Sequence, residues 1–164
     1  MEDVRLPVAG CPLPVAGFHY TPLMAYFGDD EMRALTERLS GMTGPVRLVL
    51  FVQAFGCETC DATRRVLRDL AQANALITVE EKNMVLDTAD VEAYGMIAAP
   101  GIAIVGDRDR GLRMYGMPDG YELVSLLEAI LLASAGDSGL SDDSRALLAA
   151  VSGPRTLQIF STPT

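Results

Sequence analysis

The sequence predicts an α/β fold, a four-stranded mixed sheet with helices on both faces. Apolar runs of strand length alternate with stretches whose apolar residues recur at helical spacing. Their order along the chain is helix, then β-α-β, then α-β-β-α. The β-α-β unit implies a parallel pair, and a charged turn at residues 107–111 lets the strands on either side run antiparallel. A single mixed sheet accommodates this order.

Spacing also places the individual elements. The first helix should begin with Asp29 or Asp30 as its cap and end near Ser40. Residues 48–52 form an uninterrupted apolar run, typical of a central strand that is buried on both faces. The remaining predicted elements are a helix over 61–74, a strand over 76–80, a short helix over 89–94, strands over 101–105 and 112–115, and an amphipathic helix over 122–135.

A second, incomplete unit is predicted at residues 139–164. A helix over residues 140–151, capped by Ser141, precedes a strand over 156–160. One pattern recurs at a constant offset: Gly44-Pro45, Leu48 and Phe51 recur as Gly153-Pro154, Leu157 and Phe160. We therefore expect the helix and first strand of a truncated second unit, and we favour a chain that is a fragment of a longer protein. Because an unpaired strand is a template for another chain, in an isolated chain it should pair with a sheet edge or mediate a homodimer.

Composition and charge narrow the function. The chain carries 13 basic and 22 acidic side chains, a net charge of -9, which disfavours nucleic acid as a partner. Residues 1–28 repeat Pro-Val-Ala-Gly and should form a flexible leader before the main domain at 29–138, with no membrane span. Residues 8–11 match a lipoprotein cleavage site, but acidic residues replace the positive charges of such a signal. Three cysteines are too few for a disulfide scaffold, so we expect a reducing, cytoplasmic compartment.

The chemistry is predicted at Cys57-Glu58-Thr59-Cys60, where the buried strand gives way to a helix. Two thiols three residues apart lie within disulfide range on a helical turn. Cys57 should project from the helix N-terminus, whose free amides stabilise a thiolate, and act as the nucleophile. Cys60, one turn inside, should be the resolving thiol. Glu58 and Thr59 are the candidate modulators, because a charge on Glu58 raises the pKa of the neighbouring thiol and favours a reducing potential.

Two structural alternatives compete with a redox pair. A Cys-x-x-Cys pair can supply half of a zinc site, but only Cys11 and His19, both in the leader, remain as further soft ligands. Two buried structural cysteines are less consistent with the polar residues Glu58 and Thr59 between them. We therefore expect neither a metal nor a cofactor.

Pro100 and Ala99 are the candidate substrate-binding residues. A proline that opens a strand after Ala98-Ala99 suits a cis peptide bond, although a trans proline at a strand edge is the commoner case. In the cis geometry the backbone N–H and C=O of Ala99 would face a substrate strand beside the thiols. The cysteine pair upstream favours this interpretation.

Taken together, these residues resemble the protein disulfide oxidoreductase family, glutaredoxin-like proteins built from two tandem thioredoxin folds. The resemblance spans about residues 29–164. The matching segments are residues 44–51 with the cysteine pair, residues 113–122 (Arg-Met-Tyr-Gly-Met-Pro-Asp-Gly-Tyr-Glu), and residues 159–164, which resemble the run before a second cysteine pair. The N-terminal domain of the alkyl hydroperoxide reductase flavoprotein also pairs two such folds, but with a first unit that lacks the cysteines. Cys57 and Cys60 therefore favour the oxidoreductase family.

The resemblance implies disulfide exchange with protein or peptide substrates, with Cys57 attacking and Cys60 resolving. It also implies an upstream dithiol reductant, such as a thioredoxin reductase. Phe51 stands where ordinary thioredoxins hold a buried carboxylate, so Glu80 and Glu81 on the neighbouring strand are the remaining candidates for the base of Cys60. The alternative function is a catalytically weak binding or docking module of the same fold.

Overall fold

The computed structural model describes residues 25–160 of the chain. Its four strands are β1 (Val46–Val52), β2 (Ile77–Asn83), β3 (Gly101–Val105) and β4 (Asp109–Tyr115), arranged in the order β2-β1-β3-β4. β1 runs parallel to β2 and antiparallel to β3, and β3 runs antiparallel to β4. The predicted four-stranded mixed sheet is confirmed.

Helices cover both faces of this sheet, as predicted. They are α1 (Asp29–Leu39), α2 (Cys60–Ala73), α3 (Thr88–Tyr94), α4 (Tyr121–Ala135) and α5 (Asp142–Ala149). α1, α2 and α4 pack on one face through the larger core cluster, and α3 packs on the other through a smaller one. None of the helices within residues 25–160 is long and apolar enough to cross a membrane.

The central strand β1 joins the two halves of the core. Leu48 and Leu50 belong to the larger cluster, whereas Val49 and Phe51 belong to the smaller one. All four side chains are fully buried, because successive residues of a strand point to opposite faces and both faces of β1 are covered. Burial of β1 on both faces therefore explains the uninterrupted apolar run in the sequence, as predicted.

Several boundaries differ from the prediction. Gly28, not Asp29 or Asp30, is the N-cap of α1, and its N–H donates to Glu31 Oε2 at 2.9 Å. β2 continues to Asn83 because its backbone stays in register with β1 up to Val52, whatever the side chains. β4 begins three residues earlier, at Asp109, with an irregular register beside Val105.

The predicted strand at residues 156–160 is absent. α5 begins after Ser141, whose Oγ accepts the N–H of Ser144 at 3.2 Å, so this cap is confirmed. Residues 151–160, which we call the tail, contain neither a helix nor a strand. A strand exists only as part of a backbone pair, and no strand within residues 25–160 lies beside the tail.

Asp69 fixes the chain that leads into α1. This aspartate of α2 is 2% exposed, and its Oδ2 accepts the backbone N–H groups of Tyr26 at 2.7 Å and Phe27 at 3.0 Å. The guanidinium of Arg65 lies 5.8 Å from the centre of the Tyr26 ring. Tyr26 and Phe27, assigned to the leader from the sequence, therefore pack against the domain, and the leader's other residues up to 24 lie outside the described part.

Ser134 makes a similar connection at the opposite end of this layer. Its Oγ, near the end of α4, accepts the N–H groups of Thr43 and Gly44, each at 2.9 Å, and donates to the carbonyl of Gly44 at 2.7 Å. A Cβ on Gly44 would lie 2.9 Å from the Ser134 carbonyl oxygen, so only glycine permits this close approach. The turn between α1 and β1 is thereby attached to α4.

We expect Asp69→Ala to lower the free energy of unfolding by about 2 to 3 kcal/mol, because it removes a charged acceptor from two partly buried amides. Urea unfolding followed by circular dichroism measures the change. Glu37→Ala, which removes an exposed carboxylate from α1, is the matched control and should change stability by less than about 0.5 kcal/mol. Equal effects of the two substitutions would show that the Asp69 contacts do not stabilise the fold.

Candidate active site

Cys57 and Cys60 are joined by a disulfide, with their Cα atoms 5.5 Å apart. Cys60 is the first residue of α2 and only 4% exposed, and Cys57 lies half-buried before the N-cap Thr59. The prediction that Cys60 lies one turn inside the helix was wrong, because the helix begins at Cys60 itself. Cys57 still precedes the helix N-terminus, where the first-turn amides have no carbonyl partner within the helix.

The loop between β1 and the disulfide contains two unusual residues. Gly56 has a φ of +72°, a left-handed conformation that side chains disfavour, and it turns the chain just before Cys57. Phe55 is 90% exposed despite its large apolar ring. The buried end of β1 thus leads directly into a loop that places a phenyl ring in solvent beside the disulfide.

The Ala99–Pro100 peptide bond is cis, as predicted. Gly101, the next residue, pairs with Phe51 of β1. The cis bond and the loop to Cys57 therefore lie at the same end of the sheet. Pro100 is buried, and its carbonyl accepts the N–H of Gly116 at 2.9 Å. The backbone N–H and C=O of Ala99 make no hydrogen bond to other residues of the described range, so they are available to a ligand strand.

The two candidate modulators face solvent. Glu58 is exposed and its carboxylate makes no hydrogen bond within residues 25–160. Thr59 is also exposed, and its carbonyl accepts both the N–H and the hydroxyl of Thr63 at 2.9 Å. Their proposed influence on the thiols stays a prediction.

Arg64, one turn after Cys60, is held by acidic partners. Its Nε and Nη2 donate to the two carboxylate oxygens of Glu81 at 2.6 and 3.0 Å, and Asp61 pairs with the same guanidinium. The hydrogen bonds to Glu81 are the largest influence that keeps the pKa of Arg64 above its usual value. The positive charge of Arg64 is therefore largely neutralised by its acidic partners, which limits how much it can stabilise a nearby thiolate.

The candidate bases for Cys60 are likewise engaged in ion pairs. Glu81 is bound by Arg64, and Glu80 is bound by Lys82 at 2.9 Å and Arg47 at 3.1 Å. The hydrogen bond from Lys82 is the main cause of the lowered pKa of Glu80. A carboxylate stabilised in its charged form accepts a proton less readily, so this geometry does not favour Glu80 as the base.

The residues considered for a zinc site are only partly described by the structure. Within residues 25–160, no group of three or more His, Cys, Asp or Glu side chains is placed to hold a metal ion. The sulfurs of Cys57 and Cys60 are bonded to each other and so are not free as thiolate ligands. Cys11 and His19, the further ligands considered from the sequence, lie outside the described residues.

An apolar rim lies at the end of the sheet that carries the disulfide, and the sequence analysis missed it. Phe55 follows β1, Val85 and Leu86 follow β2, and Ile97 precedes β3; their exposed fractions are 90%, 70%, 80% and 82%. Because β2 is parallel and β3 antiparallel to β1, these loops all lie at the end of the sheet where β1 ends. The sequence did contain a signal for this rim, namely an apolar residue in each of the three loops.

The fold and the site define a thioredoxin-like domain with a disulfide-forming cysteine pair at the start of α2. No family model matches the chain, and neither does any curated protein. Among solved structures, it is similar to a protein disulfide oxidoreductase from Aeropyrum pernix K1, with 26% identity and a TM-score of 0.69. The match covers 80% of this chain and 57% of that one, so the chain spans little more than half of its neighbour.

The alkylhydroperoxide reductase AhpF from Enterococcus faecalis is a second neighbour. One structure, of a cysteine-to-alanine mutant, has 21% identity and a TM-score of 0.67, over 76% of this chain and 61% of that one. A structure of the N-terminal domain of the same protein has 21% identity and a TM-score of 0.62, over 73% and 58%. These neighbours confirm the thioredoxin-like fold and the resemblance stated from the sequence.

Selective alkylation tests the unequal exposure of the two cysteines. After reduction, Cys57 should react with iodoacetamide roughly an order of magnitude faster than Cys60, because it is more exposed and precedes the helix N-terminus. Mass spectrometry of peptides from a Cys11→Ser background measures both rates. Cys57→Ser is the control in which the fast label should disappear; faster labelling of Cys60 would contradict the assignment.

Proposed function

We propose that the protein is a thiol–disulfide oxidoreductase that exchanges disulfides with protein substrates through Cys57 and Cys60. The observation that carries the proposal is the disulfide at the start of α2, on the sheet edge that also holds the cis Ala99–Pro100 bond. A half-exposed sulfur beside a buried one suits an attacking and a resolving thiol.

The reaction consists of two exchange steps. In the reduced protein, the Cys57 thiolate attacks a substrate disulfide, forming a mixed disulfide and releasing one substrate thiolate. The Cys60 sulfur then attacks Cys57, which releases the second substrate thiolate and forms the Cys57–Cys60 disulfide. The proton of Cys60 ends on a departing thiolate or in water. The substrate gains two electrons and the protein loses two, which an upstream dithiol, such as that of a thioredoxin reductase, restores.

Protein substrates are favoured over small disulfides by the surroundings of Cys57. The apolar rim of Phe55, Val85, Leu86 and Ile97 presents exposed side chains that suit an apolar polypeptide segment. The unpaired backbone groups of Ala99 suit a substrate strand that adds alongside them. A reductant of this kind would act in the cytoplasm and contribute to cell redox homeostasis.

Insulin reduction tests the proposed reaction. With dithiothreitol as electron donor, the full chain should accelerate precipitation of the insulin B chain, and Cys57→Ser should abolish this acceleration because the attacking sulfur is lost. Turbidity measures the rate, and Cys11→Ser is the matched control, expected to retain the activity. Unchanged activity in Cys57→Ser would refute the proposal.

The Cys60→Ala variant separates an oxidoreductase from a docking module of the same fold. Without the resolving sulfur, an oxidoreductase should accumulate mixed disulfides between Cys57 and insulin or lysate proteins, visible on non-reducing gels. A docking module has no reason to form them.

Substitution of Phe55 tests the contribution of the apolar rim. Phe55→Ser should lower kcat/KM for insulin by roughly tenfold, because it removes an apolar contact worth about 1.5 kcal/mol. Reduction of a small aromatic disulfide should change little. Leu147→Ser, an exposed apolar residue on α5 with 73% exposure, is the control and should affect neither substrate. Equal losses for both substrates would show that Phe55 does not select proteins.

A further inference from the structure

An apolar groove lies between α1 and α4, on the helical layer over the larger core cluster. Its volume is about 360 Å³, and its lining includes Phe27, Ala34, Leu123 and Val124, with Glu31 and Arg38 as its charged members. Arg38 pairs with Glu128, and Gly41 lies beside Leu131, so the two helices run in the same direction. No residue within 25–160 fills the groove.

The tail is a second apolar surface without a partner in the described part of the chain. Leu157, Ile159 and Phe160 are 88%, 91% and 90% exposed. In an extended segment, Leu157 and Ile159 lie on the same side and Gln158 lies opposite. Arg155 is the single charged residue of the tail, and its guanidinium bonds only to the carbonyl of Pro154 at 3.2 Å within residues 25–160.

The two sheet edges are poor acceptors for the tail. β2 carries Glu80, Glu81 and Lys82 in succession, and β4 begins with Asp109 and Arg110. Charged side chains on an edge strand oppose the addition of another strand. The groove between α1 and α4 instead offers an apolar concavity, and it begins beside the acidic first turn of α1.

We infer that the tail of a second copy of this chain occupies the groove, in a reciprocal dimer. Arg155 lies against the acidic first turn of α1, and Leu157 and Ile159 enter the groove. The lengths agree: an extended segment from residue 155 to 159 spans about 13 Å, and the helix from Glu31 to Arg38 rises about 10 Å. Unlike the strand-mediated homodimer expected from the sequence, docking in the groove needs no backbone pairing.

The reciprocal contact defines a closed assembly. A twofold arrangement satisfies both tails with one kind of contact, so the assembly closes at two copies.

An intermolecular spin-label measurement tests which surface the tail contacts. A nitroxide is attached at Gln158→Cys in a Cys11→Ser background with the Cys57–Cys60 disulfide intact, and this chain is mixed with a ¹⁵N-labelled copy lacking the nitroxide. We expect broadening of the amide signals of Ala34, Leu123 and Val124 in the ¹⁵N-labelled copy. Broadening at β2 or β4, or no intermolecular broadening, would overturn the proposal.

Two substitutions test the same contact by light scattering. Val124→Glu in the groove and Ile159→Asp in the tail should each convert the dimer to a monomer; their residues are 55% and 91% exposed, so the fold should survive, as circular dichroism would verify. Leu132→Glu, on α4 but outside the groove lining, is the control and should remain dimeric. A monomeric full chain, or dimers in both variants, would refute the proposal. Insulin reduction by the monomeric variants is a separate readout, so the dimer and the redox function can fail independently.

Discussion

Burial of β1 on both faces is the constraint on which the rest of the structure depends. Leu48 and Leu50 hold the layer of α1, α2 and α4, and Val49 and Phe51 hold the layer of α3. Since β1 also pairs with β2 and β3, its backbone is fixed on both sides as well. The chain therefore leaves β1 in one defined direction, and the loop that follows places Cys57 at that end of the sheet. The position of the site is a consequence of this buried central strand.

The site itself combines a rigid base with an open surface. Cys60 is buried at the first position of α2, while Cys57 stays accessible beside an apolar rim. Nearby charges are largely paired with one another: Arg64 binds Glu81 and Asp61, and Lys82 binds Glu80 and Asp90. Apolar surface and backbone groups are therefore the features left to recognise a substrate. The proposed recognition of a substrate would therefore depend weakly on the substrate's charge.

The sequence predicted those elements whose cause is local. The apolar run of β1, the spacing of α2 and α4 and the Ser141 cap are each determined by neighbouring residues, and the structure bears them out. Prediction from the sequence failed for elements that depend on a partner far away along the chain. β2 extends through Glu80, Glu81 and Lys82 because β1 lies alongside, and the tail has no such partner, so Leu157 to Phe160 form no strand despite repeating the pattern of β1. The apolar rim was missed because its members come from three loops that only the sheet brings together. Asp69 likewise gave no signal, since an aspartate on a helix is usually exposed.

The contacts of Asp69 and Ser134 affect which parts of the protein unfold locally. Asp69 attaches the approach to α1 to the middle of α2, and Ser134 attaches the exit from α1 to the end of α4. α1 is thus secured at both of its ends, to two different neighbours. A helix held in this way does not fray independently, so α1, α2 and α4 should exchange their amide hydrogens as one cooperative unit. α5 and the tail, which lack buried residues, belong to the low-stability end of the same molecule. The cysteine pair and the groove between α1 and α4 therefore belong to the part of the chain that opens least often, whereas the tail inferred to enter that groove belongs to the part that opens most often.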